Sequence, residues 1–253
     1  TRVPFYIAWG NHDGNSTTHP LRLAADMPSR YRTDGLSTYT PGFGSFAFEH
    51  SGVFFVCIEH FSAFTGTQTW SNSAGNDITN GWLDAQLSSP AARNARFRVV
   101  SVHVPPYCER WIDGHASLRT HLVPRLEFHG VHLCFSGHMH GYQRGQLNGV
   151  NYVIAGGGSY LDHNEPLTTD WPHMTVGGYH NVPGNYARQS ANGVLGPPQP
   201  IVGGLFHHYV EMSVRDRYLR LDTHGFNADG SYIGILDSME IGSDPGPDRD
   251  GDG

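Results

Sequence analysis

The chain has 253 residues, 38% hydrophobic and 12% aromatic, enough to bury one large core or two small ones. A formal net charge of −7 argues against general binding to phosphate backbones, so no nucleic-acid partner is expected, and no run is long and apolar enough to span a membrane as a helix. A charged fraction of 15%, beside 32 glycines and 16 prolines, predicts many turns on a β-rich frame.

In chain order, the run 3–9 reads as a buried strand that leads into Gly10-Asn11-His12-Asp13. Only nine residues precede Gly10, so an upstream segment, in the same or a separate chain, is expected to complete the first sheet. The runs 45–48 and 53–59 predict a hairpin around Ser51-Gly52. Over 78–87, Trp82, Leu83 and Leu87 share one face of a short amphipathic helix. The run 96–102 is a strand that delivers His103 and is ended by Pro105-Pro106. A helix broken at Pro124 is expected over 118–128.

The strand 131–135 leads into Gly137-His138-Met139-His140, and a further strand, 150–155, ends at Gly156-Gly157-Gly158. From 159 to 200 the composition shifts to Gly, Pro, Asn, His and Thr with little periodicity, which predicts a long surface excursion of the kind that covers sites. The runs 208–214, 218–223 and 232–241 predict a three-stranded meander with a turn at Asp229-Gly230. No interior linker divides residues 1–241, which read as one domain. Residues 242–253 form an acidic Asp/Gly/Pro tail in which Asp248, Asp250 and Asp252 alternate as in the first half of a calcium loop. A solvated linker and the start of a calcium-binding repeat both suit that tail.

Of three cysteines, Cys57 and Cys134 lie in apolar runs and read as small buried hydrophobes; with Cys108 the count is odd and does not fix the redox compartment. Among 17 histidines, position must select. His12, His103 and the pair His138 and His140 each follow an apolar, β-branched run, and strand ends are where a sheet can aim several imidazoles at one point. His138 and His140 are two apart, so on an extended segment both rings leave one side and can serve one metal or two adjacent ones. Asn11 offers an amide oxygen as a further ligand, with His12 leaning over the site. Together these motifs predict metal-dependent phosphoester chemistry. His163, His173 and His180, in the excursion, are candidate substrate contacts.

The three motifs resemble those of the calcineurin-like metallophosphoesterases, and within them the purple acid phosphatase group. The segment 39–55 is similar to that family's hairpin after the Asn-His turn, 78–83 to its Trp-Leu helix, and 136–144, Ser-Gly-His-Met-His-Gly-Tyr-Gln-Arg, to its last metal motif. The resemblance implies an α/β (α+β) fold: a four-layer β-sandwich flanked by helices, here without its N-terminal part. It implies a phosphoester substrate, monoester or diester, and two divalent or mixed-valence transition metals of the Fe, Zn or Mn kind. Asn11, His103 and His138 would hold one metal and His140 the other. His12 would stabilise the transition state or protonate the leaving oxygen, with Asp13 as its orienting partner, while a hydroxide held between the metals attacks phosphorus in line.

The family's Asp-bearing motifs and its Tyr motif precede the Asn-His turn, so the metal-binding carboxylates are expected from the upstream segment. An extracellular or periplasmic location is a family-level expectation. The other reading is a non-catalytic extracellular module that keeps this fold for structure or binding.

Overall fold

The computed structural model describes residues 6, 8, 10, 38–39, 45–58, 78–79, 81–189 and 195–242. Its first sheet has strands β1 (Thr38–Tyr39), β2 (Phe46–His50), β3 (Val53–Ile58), β4 (Phe97–Val102), β5 (Leu133–Ser136), β6 (Tyr142–Leu147), β7 (Val150–Ala155) and β8 (Met174–Val176), in the order β1-β2-β3-β4-β5-β7-β6-β8. The centre, β3-β4-β5-β7, is parallel, whereas β1, β2, β6 and β8 add antiparallel pairs at the flanks. Central parallel strands are covered on both faces, which is why Val-Phe-Phe-Val-Cys-Ile and Phe-Arg-Val-Val-Ser-Val are nearly continuous apolar runs.

Strand alternation divides this sheet between two cores. Val56, Val100, Val102, Cys134 and Tyr152 face the helices α1 (Trp82–Leu87), α2 (Pro90–Asn94), α3 (Ala116–His121) and α4 (Val123–Phe128), meeting Leu83, Leu87, Leu118 and Leu126. Val53, Phe97, Val99, Leu133 and Val153 point the other way, against Leu219, Leu221, Leu236 and Met239. Those four belong to a second, antiparallel sheet of β11 (His207–Arg215), β12 (Tyr218–Phe226) and β13 (Tyr232–Ile241). Among the described residues this makes three layers: helices, large sheet and small sheet. The expected outer helical layer on the small sheet is not among them.

The hairpin turns on Ser51 and Gly52, both with positive φ (50° and 78°), the geometry that matches strand twist across a two-residue loop. The first helix starts at Trp82 rather than Ile78, because Gly81 adopts φ 89° at its N-cap; Ile78 is buried ahead of it. The break at Pro124 falls as expected, with α3 ending at His121 and Pro124 in the first turn of α4, where its missing N–H has no partner to lose. The excursion from 159 to 200 is more ordered than its composition suggests. It contains β8 and an antiparallel pair, β9 (Asn181–Gln189) and β10 (Leu195–Val202). Prolines at 197, 198 and 200 hide β10 from any alternation rule. The opening run 3–9 lies outside the described residues apart from Tyr6 and Ala8, and the tail with Asp248, Asp250 and Asp252 lies outside them altogether.

The two sheets are joined by a buried ionic contact. Asp237 of β13, 6% exposed, accepts from the Tyr142 hydroxyl at 2.6 Å and from Arg144 Nε at 2.6 Å and Nη2 at 3.0 Å, both on β6. Burial, followed by the Asp237 charge, pushes the Tyr142 phenol well above its usual range. Removing one partner leaves the other charge buried and unmatched, so Asp237→Ala is expected to lower unfolding free energy by about 3–5 kcal/mol, measurable by urea denaturation.

His208, also buried, stands 2.9 Å from the Phe206 carbonyl through Nδ1 and is driven down to about 4 by desolvation. A histidine more basic unfolded than folded contributes stability that is complete above the unfolded pKa of about 6.5 and is lost as pH falls towards the folded value. His208→Gln is therefore expected to flatten the stability profile between about pH 4 and 6.5. A profile as steep as the parent's would refute this.

Candidate metal centre

Because β3, β4, β5 and β7 are parallel, their carboxyl ends open on one edge, the usual position of a site in such sheets. His103 leaves the end of β4 and the His138 loop leaves the end of β5. The two loops are tied directly, Gly137 N–H donating to the His103 carbonyl at 2.9 Å.

His138 then adopts φ 65°, a left-handed conformation that costs energy in a non-glycine residue and is characteristic of functional turns. Its Nδ1 lies at hydrogen-bonding distance, 3.2 Å, from His103 Nε2, with the rings at 78° to each other. For bonds of 2.0–2.1 Å, neighbouring ligands around a tetrahedral ion are ~3.4 Å apart, so these two nitrogens suit one shared cation. Trp111, itself at φ 68°, stacks on the His138 ring with centroids 4.7 Å apart. Gly10 packs on the other imidazole: a Cβ there would stand 2.7 Å from His103 Cε1. The next three positions, Asn11, His12 and Asp13, lie outside the described residues.

His140 is gripped from the excursion. Asp162, 6% exposed, accepts from the His140 backbone N–H at 2.7 Å, and its own N–H donates to the His140 carbonyl at 3.2 Å. The second carboxylate oxygen stands 3.2 Å from His140 Nδ1, off the line of a straight hydrogen bond. Tyr160 meets the same ring edge-on at 4.4 Å. Asp162 was missed by motif reading, since it stands 22 positions from its partner in a segment without periodicity. The run Gly156–Gly158 just before it was the available signal for a tight return past the site.

The excursion histidines have separate roles. His173 packs edge-on to Tyr107 at 4.1 Å, and burial lowers its basicity. His180 faces Glu109 and Asp170 at 3.6 and 3.7 Å. His163 is half-buried, one position beyond Asp162. A cavity of about 610 Å³ opens beside Trp111, between the 111–115 loop and Thr168-Thr169. Cys108 and Cys134 are buried and pushed up to about 12 by desolvation, which holds them as thiols; Cys57 is half-buried.

Comparison with known proteins gives the site a context. A family model described as calcineurin-like phosphoesterase matches residues 1–142, more than half of the chain. Purple acid phosphatase 18 of Arabidopsis thaliana is 24% identical over 143 residues, 56% of this chain and 31% of that protein. The structure of purple acid phosphatase PPD1 from yellow lupin (Lupinus luteus) seeds aligns with a TM-score of 0.54 and 15% identity over 81% of this chain and 33% of that one, a likeness of fold. The chain thus spans about a third of the length of each of these two relatives.

The divalent ions such a family calls for fit the donor set: two imidazole nitrogens at ligand spacing, a third imidazole, and a buried carboxylate that fixes it. Partners that orient a ligand histidine are typically worth 10–100-fold in metal affinity. Asp162→Ala is expected to weaken binding of Zn²⁺ or Mn²⁺ by about that factor in calorimetric titration. Unchanged affinity would reduce Asp162 to a loop tie.

Proposed function

The chain belongs to the calcineurin-like phosphoesterase family, and from that premise we propose that it hydrolyses phosphomonoesters, as an acid phosphatase, at the carboxyl edge of its large sheet. The observation that carries the reading is the 3.2 Å approach of His103 Nε2 to His138 Nδ1 at the ends of adjacent parallel strands. Likeness to a purple acid phosphatase supports the monoester over the diester.

In this reading His103 and His138, with Asn11, hold one divalent ion and His140 a second. Bound divalent ions supply water acidified towards neutrality and positive charge for the phosphoryl oxygens. His140 contributes Nε2, because Asp162 occupies the Nδ1 side of its ring. His12 donates a proton to the leaving oxygen, and Asp13 orients it. Trp111 presents an aromatic face beside His138 and walls the cavity in which the leaving group rests. Four neutral ligands leave the charge of two dications unbalanced, so further carboxylates are drawn from outside the described residues.

The test is turnover of p-nitrophenyl phosphate after supplying zinc, manganese or iron, with bis(p-nitrophenyl) phosphate as the diester control. His103→Ala and His138→Ala are each expected to lower kcat/KM by at least ~10–100-fold, since losing a ligand should cost no less than losing the residue that orients one. Preference for the diester would change the substrate class. Absence of metal-dependent turnover in the parent protein would favour a binding module that keeps the fold.

A further inference from the structure

Three loops meet at a second cluster of metal-ligating side chains, Glu109, Asp170 and His180, whose ligand atoms all lie within 4.8 Å of one another. Glu109 is fully buried. Its Oε1 accepts from Trp171 N–H at 2.9 Å and its Oε2 from Tyr179 N–H at 3.1 Å, which leaves each oxygen a further lone pair. His180 Nε2 stands 3.6 Å from Glu109 Oε1 and 3.7 Å from Asp170 Oδ1. Neither separation is a hydrogen bond, and this nitrogen is shielded from solvent with no hydrogen-bond partner among the described residues.

The two His180 separations are longer than hydrogen bonds and close to the spacing of ligands around one ion. Bonds of 2.0–2.2 Å to a tetrahedral ion put neighbouring ligand atoms ~3.3–3.6 Å apart. Charge argues the same way, because a buried carboxylate requires compensation. Desolvation by burial raises the Glu109 pKa most; the Tyr179 and Trp171 N–H groups and then His180 favour its ionised form, and Asp170 opposes it. The backbone is shaped around the carboxylate as well: Gly178, at φ 55°, lies so close that a Cβ would stand 2.0 Å from Oε2.

We propose that Glu109, Asp170 and His180 form a cation site, separate from the histidine-motif ligands, for a divalent transition metal of the zinc type. Two carboxylates and one imidazole, without thiolate, suit Zn²⁺, and the exposed side of Asp170 leaves a fourth position for water. The ion would act as a structural pin. Glu109 lies two positions before Trp111, and its carbonyl accepts from Thr168 N–H at 2.8 Å. One ion would therefore tie together both walls of the cavity beside Trp111.

The test compares zinc stoichiometry in metal-stripped parent protein, Asp170→Asn and His180→Gln, together with anomalous diffraction at the zinc edge. The parent is expected to bind one more equivalent than either variant, with an anomalous peak among the three side chains. His138→Ala is expected to retain that peak. Equal stoichiometry in parent and variants, with no peak at the triad, would overturn the proposal and leave an ion pair of protonated His180. The parent's anomalous map decides the matter alone if a variant fails to fold.

Discussion

The parallel pairing of β3, β4, β5 and β7 is the constraint on which the rest depends. Parallel strands in register finish at one edge, so the residues that follow them are brought together whatever their separation in sequence. His103 and His138 are 35 positions apart, yet their nitrogens come within 3.2 Å because Val99 pairs with Leu133 and Ser101 with Phe135. A slip of one residue would turn the inward faces of β4 outwards and move both cores with them. The hydrophobic division between helices and small sheet therefore holds the site geometry in place.

That edge is crowded with backbone. Gly156 passes so close to Met139 that a Cβ would stand 1.9 Å from its carbonyl oxygen, and Gly204 would collide similarly with Tyr142. The histidine loop thus rests on two other stretches of main chain, joined by Gly156 N–H to the Gly141 carbonyl at 3.0 Å and Tyr142 N–H to the Gly204 carbonyl at 2.8 Å. Such support can maintain the unfavourable φ of His138. It also brings the excursion against the loop, where Asp162 reaches His140.

What was legible in the sequence follows the strength of local patterns. Largely apolar runs marked β3, β4, β5 and β7, and runs separated by a turn signal marked the meander; histidines at strand ends could be read because a strand end has a direction. Tyr142–Leu147 was read only as an extension of a motif, since Gly145 and two glutamines blur its alternation. The strands β9 and β10 were hidden by prolines. Asp162 and the Glu109, Asp170 and His180 group had no signal of spacing, because each is assembled by tertiary contact between loops of unrelated composition.

The link between Asp237 and Tyr142 sets a timetable. The hydroxyl that follows the histidine loop closely is held by a carboxylate 95 positions later in the chain. At synthesis rates of about 5–20 residues per second, the ribosome spends about 5–20 s between the two. During that interval the small sheet is incomplete and the face bearing Val99, Leu133 and Val153 lacks the cover of Leu236 and Met239. The histidine edge cannot be fully braced until β13 has been made, which exposes the nascent chain to an interval of vulnerability that the finished fold does not reveal.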